Sequence, residues 1–398
     1  MKVDVLTWNV HGWQDALGQS NSKRVARLLV ERDVDVVALQ EMRHPHSRWL
    51  ASDFDARHES PKSTELELVL ASLQQAEDER CGREAGVLPR QWKFFFQDNG
   101  IGYGGTAILT RLPVLSSHCT LLRIPDVSDD RSFVAVELDI SASSSACSSA
   151  CSSSCSSCSC SSSSSPSPSS FVVCCTHLDH RSERRRLAQL RLLSEKLAEA
   201  FQPPRSSSSS EGEPHQRHQR TKPPILERPH LLVGDLNALR REDYHEEEWR
   251  RLQMVREHNR WEPVRSDVVT WLQEVGGYTE PWSLRDEAPA PAPTRQGPGP
   301  QREQREEHQD KEKEEGEDED DDVEDREWID LWKHYSSPIP YTNHAGVRID
   351  YVWMSSNFRE QLGTEVVHKE VMEFETNEED EQVEPSDHRP VLVRFCFH

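Results

Sequence analysis

Two oxygen-bearing side chains one residue apart, Asp235 and Asn237, close the segment H-L-L-V-G-D-L-N that runs from His230 to Asn237. Leu231, Leu232 and Val233 form a short apolar run, long enough only for a buried strand, and Gly234 breaks it. Residues two apart on extended backbone point to the same side. The strand therefore delivers a carboxylate and an amide together to its exposed end. Such a pair can bind a hard cation, position a water or hold a phosphoryl oxygen. G-D-x-N is also a good turn, so the pair alone does not separate a site from a loop.

Other apolar stretches end the same way. Strands are expected over Lys2–Trp8, Val34–Leu39, Trp92–Phe96, Thr106–Thr110, Val114–Leu122, Phe133–Ile140, Phe171–Thr176, Arg348–Met354, Glu365–Val371 and Pro390–Phe397. At or near strand ends stand Asn9, Glu41, His177, Asp235 with Asn237, Asp350, and Asp387 with His388. Each has a bland alternative: a turn or cap residue for Asn9 and Asp387, a surface acid for Glu41, a satisfied core histidine for His177. A shared metal and phosphate site accounts for all of them with one cause.

The elements that must position these residues also include helices. They are expected over Ser22 onward (Val25, Leu28 and Leu29 on one face), Ser63–Gln75, Ser182–Phe201, Glu246–His258 and Asp267–Val275. Three stretches are too poor in core-forming residues to pack: the Ser/Cys tract 141–170, the Pro/Ser-rich 203–228, and 287–327, Pro-rich and then acidic. The expectation is one domain over residues 1–398 interrupted by three disordered insertions.

Net charge is −23, of which residues 301–327 carry −11 and residues 372–384 carry −7, leaving −5 for the rest. A globular part so mildly acidic neither supports nor excludes a phosphate-rich partner. The first residues lack the basic start and apolar core of a signal peptide, and no run has the ~18–20 apolar residues of a membrane span. Five of the ten cysteines lie inside the serine tract, so free thiols in a reducing compartment are expected rather than a disulfide framework. These features lead to the expectation of a soluble intracellular protein of the cytoplasm or nucleus.

T-W-N-V ending near Asn9, L-Q-E at Glu41, Y-G-G-T-A-I-L-T from Tyr103, T-H-L-D-H from Thr176, G-D-L-N, R-I-D-Y-V at Asp350 and S-D-H-R-P from Ser386 occur in one order along the chain. In that order they resemble the endonuclease/exonuclease/phosphatase superfamily with the pancreatic deoxyribonuclease fold. The resemblance implies an α+β, four-layer α/β/β/α sandwich, with two packed mixed sheets flanked by helices. It also implies a hydrolase using Mg²⁺ or Mn²⁺ and an activated water against a phosphate ester. Carried over, Glu41 resembles the principal metal ligand with Asn9 beside it, and Asp387 an auxiliary one. Asp235 and Asn237 would orient the water and the phosphate, His388 would pair with Asp350, and His177 would face phosphoryl oxygens. Tyr103 matches a phenol aimed at the phosphate in some nucleases of the family. In its repair endonucleases an acid stands two residues after the asparagine, where this chain has His11.

Nucleic acid is the expected substrate, because Tyr103 and the basic side chains Arg181, Arg184 and Arg185 (with Arg186) suit an extended polyanion. Positive charge in the first turns of a helix opposes its dipole, which a substrate phosphate would relieve; a solvated face beside Glu183 is the alternative. A phosphomonoesterase or inositol-phosphate phosphatase is the second reading, although R-I-D-Y-V-W stands where the latter carry P-A-W-C-D-R. A catalytically inactive scaffold is the third.

Overall fold

Strands that are apolar on both faces must be covered on both faces, and the alternation along each strand says by what. The structure, a computed structural model, describes residues 1–15, 18–42, 65–83, 90–99, 104–125, 130–141, 169–201, 226–283, 342, 347–372 and 386–398. One six-stranded sheet contains β1 (Lys2–Asn9), β2 (Val36–Met42), β3 (Lys93–Asp98), β4 (Gly105–Thr110), β11 (Thr364–Val371) and β12 (Val391–Phe397), in the order β11-β12-β1-β2-β4-β3. The other contains β5 (Val114–Leu122), β6 (Arg131–Asp139), β7 (Ser170–His177), β8 (His230–Asp235), β9 (Tyr278–Thr279) and β10 (Asp350–Ser355), in the order β5-β6-β7-β8-β10-β9. Both sheets are mixed: β1–β2 and β7–β8 pair parallel, the remaining neighbours antiparallel.

Val3 and Val5 of β1, Val36 and Ala38 of β2, Val173 and Cys175 of β7, and Leu231 and Val233 of β8 meet in the core between the sheets. The alternate residues face outward. Leu6, Trp8, Val37 and Leu39 pack under helices α1 (Ser22–Glu31) and α2 (Glu65–Arg83). Val172, Cys174 and Leu232 pack under α3 (Glu183–Phe201) and α5 (Asp267–Thr270), which continues as a π turn through Val275. Helix, sheet, sheet, helix is the expected four-layer sandwich. Helices α4 (Glu246–His258) and α6 (Ser356–Leu362) complete it.

Some boundaries differ from expectation for identifiable reasons. Helix α2 runs on to Arg83, where Glu77 binds Arg80 and Arg111 and Cys81 is buried, a support that an apolar-stripe reading passes over. Helix α1 begins at Ser22 as expected, with Asn21 at its N-cap, its amide donating to the carbonyls of Val10 and Gln14. The short helix α6 and strand β9 were not expected. The insertions proposed at 141–170, 203–228 and 287–327 lie almost wholly outside the described residues. Of them, Ser170 begins β7 and Leu226 is buried. The β6–β7 hairpin is closed at its tip, with Asp139 opposite Ser170 and the Ile140 N–H donating to the Ser169 carbonyl at 2.7 Å.

Candidate active site

Four polar side chains reach one place by strand parity alone. Asn9 follows Val3 and Val5, His177 follows Val173 and Cys175, Asp235 follows Leu231 and Val233, and Asp350 precedes Val352 and Met354, all on the inner face. His177 and Asp350 are the register partners of Asp235 on either side. Asp350 opens its strand rather than ending it, but β10 runs antiparallel to β8, so its start lies at the same edge.

Glu41 arrives differently. Alternation would turn it outward beside Leu39, yet its φ is +53° and the β2–β4 register shifts between Leu39 and Met42. Such a bulge re-aims one side chain. Gly104 permits it: at φ +103° a Cβ there would lie 2.9 Å from the Glu41 carbonyl carbon. Gly234 is constrained likewise, since a Cβ would fall 2.0 Å from the Thr176 carbonyl oxygen of β7. His388 is held by the loop before β12: Ser386 Oγ donates to the Asn9 carbonyl at 2.7 Å and accepts from the His388 N–H at 3.1 Å.

The geometry centres on Asp235. Asn9 Nδ2 donates to Glu41 Oε1 at 3.0 Å and to Asp235 Oδ2 at 3.1 Å. Asn237, at φ +49°, donates its backbone N–H to Asp235 Oδ1 at 2.9 Å. Its amide nitrogen serves both the Leu178 carbonyl, 3.1 Å, and His177 Nε2, 3.0 Å. His177 Nε2 stands 3.5 Å from Asp235 Oδ2 and 3.9 Å from Glu41 Oε1. His388 Nδ1 meets Asp350 Oδ2 at 2.8 Å, and its Nε2 faces Asp235 and Asp387 at 3.9 Å each. His11, in the place of the expected acid, sets Nδ1 3.3 Å from Asp387 and 3.7 Å from Glu41.

Electrostatics separate the roles of these groups. Burial, reinforced by the Asp350 carboxylate, pushes Asp235 up to about 7. Burial opposes the charge on His388, but Asp350 beside it, then Asp235 and Asp387, overcome this and raise it to about 10. His388 is therefore an imidazolium whose ring is fixed by Asp350. Burial holds His177 well below the usual imidazole range, and Arg131, His388 and His180 act in the same direction.

The endonuclease/exonuclease/phosphatase family profile matches residues 6–388. The chain belongs to this family. No curated protein matches it. Solved structures of similar chain path include an endonuclease/exonuclease/phosphatase from Beutenbergia cavernae, at 16% identity and TM-score 0.47, covering all of this chain and 72% of that one. The human Nocturnin catalytic domain with bound sulfate anion gives 13% and 0.48, covering 100% and 95%. A Bacteroides thetaiotaomicron mannosyl-6-phosphatase gives 14% and 0.47, covering 99% and 100%.

Members of the family are divalent-metal phosphoesterases, and the donor set here fits an ion. Glu41, His177 and Asp235 each offer a ligand atom, all within 4.8 Å of one another. The Asn237 amide nitrogen, which donates to the Leu178 carbonyl, lies 3.0 Å from His177 Nε2 and orients the ring beside the two carboxylates. The carboxylate oxygens of Glu41 and Asp235 are the donors that suit a hard cation, with His177 alongside. Asp235, Asp350 and His388 are equally close, but an imidazolium is no ligand. Asn9 Oδ1 accepts the His11 N–H at 3.0 Å, so the side chain orients Glu41 and Asp235 with its amide nitrogen.

The remaining expectations divide. Tyr103 lies outside the described residues. Arg185 pairs with Asp179 at 3.7 Å and Arg186 with Glu183 at 2.5 Å, both within the start of α3, and Arg184 is exposed. Arg181 alone adjoins the site's rim, its Nε 2.9 Å from His180 Nε2. Two neighbours of the site were not singled out from sequence. His180 was in plain view as the second histidine of T-H-L-D-H, whereas Arg131 is marked only by a charge opening an apolar strand.

Proposed function

We propose that this protein is a Mg²⁺- or Mn²⁺-dependent phosphodiesterase that cleaves nucleic acid by in-line attack of an activated water. The observation that carries this is the position of Asp235, one buried carboxylate shared between the Glu41–His177 donor group and the His388–Asp350 pair. Glu41 and Asp235, with His177 alongside, would hold a divalent ion, which would supply charge neutralisation for the phosphoryl oxygens. Asp235, held ionised, takes the water's proton, and the Nε2 proton of His388 is offered to the phosphate while Asp350 stabilises the imidazolium. Asn237 and Asn9 fix the orientation of these groups through the bonds already described. A nucleic acid strand is favoured over a phosphomonoester by the cationic rim of Arg131 and Arg181, which flank His180 near His177. Among the described residues no helix is long and apolar enough to cross a membrane, and Cys81, Cys119, Cys174, Cys175 and Cys396 are free thiols, in keeping with a reducing compartment.

The test is product analysis on a panel of single- and double-stranded DNA, RNA, inositol phosphates and sugar phosphates, with Mg²⁺, Mn²⁺ or excess EDTA. Metal-dependent cleavage of internal phosphodiesters is expected. Turnover confined to phosphomonoesters would replace the substrate class, and no turnover anywhere would leave a scaffold.

A further inference from the structure

Arg131 is 9% exposed and opens β6 on the rim of the site. A guanidinium this buried is ordinarily matched by a carboxylate. Among the described residues Arg131 forms no ion pair; its Nη2 faces His180 Nδ1 at 3.2 Å and its Nε has no hydrogen-bond partner. The other nitrogen of the same ring, His180 Nε2, is approached by Arg181 Nε at 2.9 Å. A neutral imidazole accepts at one nitrogen only, and its protonated form at neither. One of the two guanidiniums is therefore left pointing at an N–H, and the ring between them is kept neutral. His180 is also packed edge-on against Trp261, with ring centres 5.9 Å apart, which fixes its plane.

Among the described residues, the acids whose charge reaches His180 are Asp179 and Glu41, and both are engaged with other groups, Asp179 Oδ2 lying 3.7 Å from Arg185. Asp179 Oδ1 accepts the backbone N–H groups of Arg181 and Ser182, while Glu41 is bonded to Asn9. Asp179 thereby satisfies the turn into α3, so the positive charge belongs to side chains and not to a bare helix end. The cluster has donors to spare, and an anion would complete it.

We propose that Arg131, His180 and Arg181 form a second anion subsite, which takes a phosphate of the substrate other than the one being cleaved. The assignment relies on the phosphodiesterase function only for where the scissile phosphate sits. Strand β6 lies two places from β8, which separates this subsite from Asp235 by roughly 10 Å. That separation suits the neighbouring phosphates of an extended single strand, gripped by a forked guanidinium on the rim while one ester sits at the metal donors.

The test reads binding without turnover, in the full-length Asp235→Asn protein with Mg²⁺. The probes are a fluorescein-labelled single-stranded decanucleotide and inorganic tripolyphosphate. Arg131→Gln and Arg181→Gln are each expected to weaken decanucleotide binding about 5–10-fold and to lower the slope of log Kd against log salt by about one. Arg131→Lys should recover most of the loss. If Arg131→Gln fails to fold by circular dichroism, the exposed Arg181→Gln still decides. Weakening for tripolyphosphate alone supports the subsite and assigns it to small polyphosphates. Unchanged affinity and slope in the folded variants, or no binding of either probe by the parent, overturns it. Failure of the phosphodiesterase function would appear separately, as absent cleavage by the wild-type protein.

Discussion

Two of the ionic clusters among the described residues have charges that are composed differently. Around the buried Arg348, Asp243 accepts at 3.2 Å and Glu280 pairs directly; Arg240 closes on Glu280 at 3.1 Å. The rings of Trp282 and Tyr351 lie 5.0 and 4.9 Å from the Arg348 guanidinium. Two guanidiniums face two buried carboxylates under an aromatic cover, and the exposed Glu242 stands 3.5 Å from Arg240 outside it. At the candidate active site three carboxylates, Asp235, Asp350 and Asp387, face the single imidazolium of His388, and a fourth, Glu41, stands 3.7 Å from the half-exposed His11 at the edge. The balanced cluster needs nothing further to be stable. In the unbalanced one burial, reinforced by Asp350, raises Asp235, while the surrounding carboxylates outweigh burial and raise His388; a cation or a proton must supply what the chain does not.

The largest effect should come from the unbalanced side. Glu41→Gln is expected to abolish hydrolysis nearly completely, a loss on the order of 10³ or more in kcat. Excess chelator should do the same to the wild type, and Mg²⁺ or Mn²⁺ should restore it. In metal-free protein the same substitution should leave the melting temperature unchanged or raise it, because it removes one of the mutually repelling acids. Full activity in excess EDTA would end the metal hypothesis.

Within that cluster Asp350 and His388 are bonded at 2.8 Å and should act as a unit. Asp350→Asn and His388→Ala should each lower kcat by about 10²–10⁴, and the double variant should be scarcely worse than the poorer single one. Losses that add in activation free energy within about 0.5 kcal/mol would show the two to be independent.

On the balanced side the effect should be on stability. Glu280→Gln leaves Arg348 and Arg240 short of a partner inside the protein and should cost about 3–5 kcal/mol in urea melts. Activity per folded molecule should be retained. A cost below about 1 kcal/mol would mean that the pairing contributes no more than a surface ion pair does.

The smallest effect concerns a buried histidine with no carboxylate at all. His230 faces the Tyr278 hydroxyl at 2.7 Å and the Arg228 carbonyl at 2.8 Å, and burial lowers it to about 4. The unfolded chain, with an ordinary imidazole near 6.5, then binds the proton more readily than the folded one. Its contribution is intact above about pH 6.5, declines as pH falls toward 4 and levels off below, a loss on the order of 3 kcal/mol. The stability difference between wild type and His230→Gln should shrink over that interval; a pH-independent difference would mean that His230 charges freely in the folded protein.

The sandwich was legible because alternation carries it: Leu231 and Val233 inward and Leu232 outward is a pattern visible in letters, and it aims Asp235 as well. Asn9, His177 and Asp350 were legible for the same reason. Glu41 was legible as a polar residue at a strand end, but not its direction, since alternation points it to the wrong face and a positive φ corrects it. Arg131 and His180 were missed because their meaning lies in what they lack, a carboxylate partner, and a missing partner cannot be read from spacing. The arginines of α3 were read as one basic patch, whereas the fold disperses them: Arg185 to Asp179, Arg186 to Glu183, and only Arg181 to the rim.

The hydrogen bond between Ile140 and Ser169 gives the chain a seam. Strand β6 starts at the site, with Arg131, and ends at the opposite edge of the sheet, where this bond brings the two flanks of residues 142–168 side by side. A two-residue turn would span that gap as well as a long tract does, and so would an unrelated folded module whose termini lie close together. A reporter or an affinity handle put in place of residues 142–168 is accordingly expected to leave Asp235 and its neighbours undisturbed at the other end of the sheet.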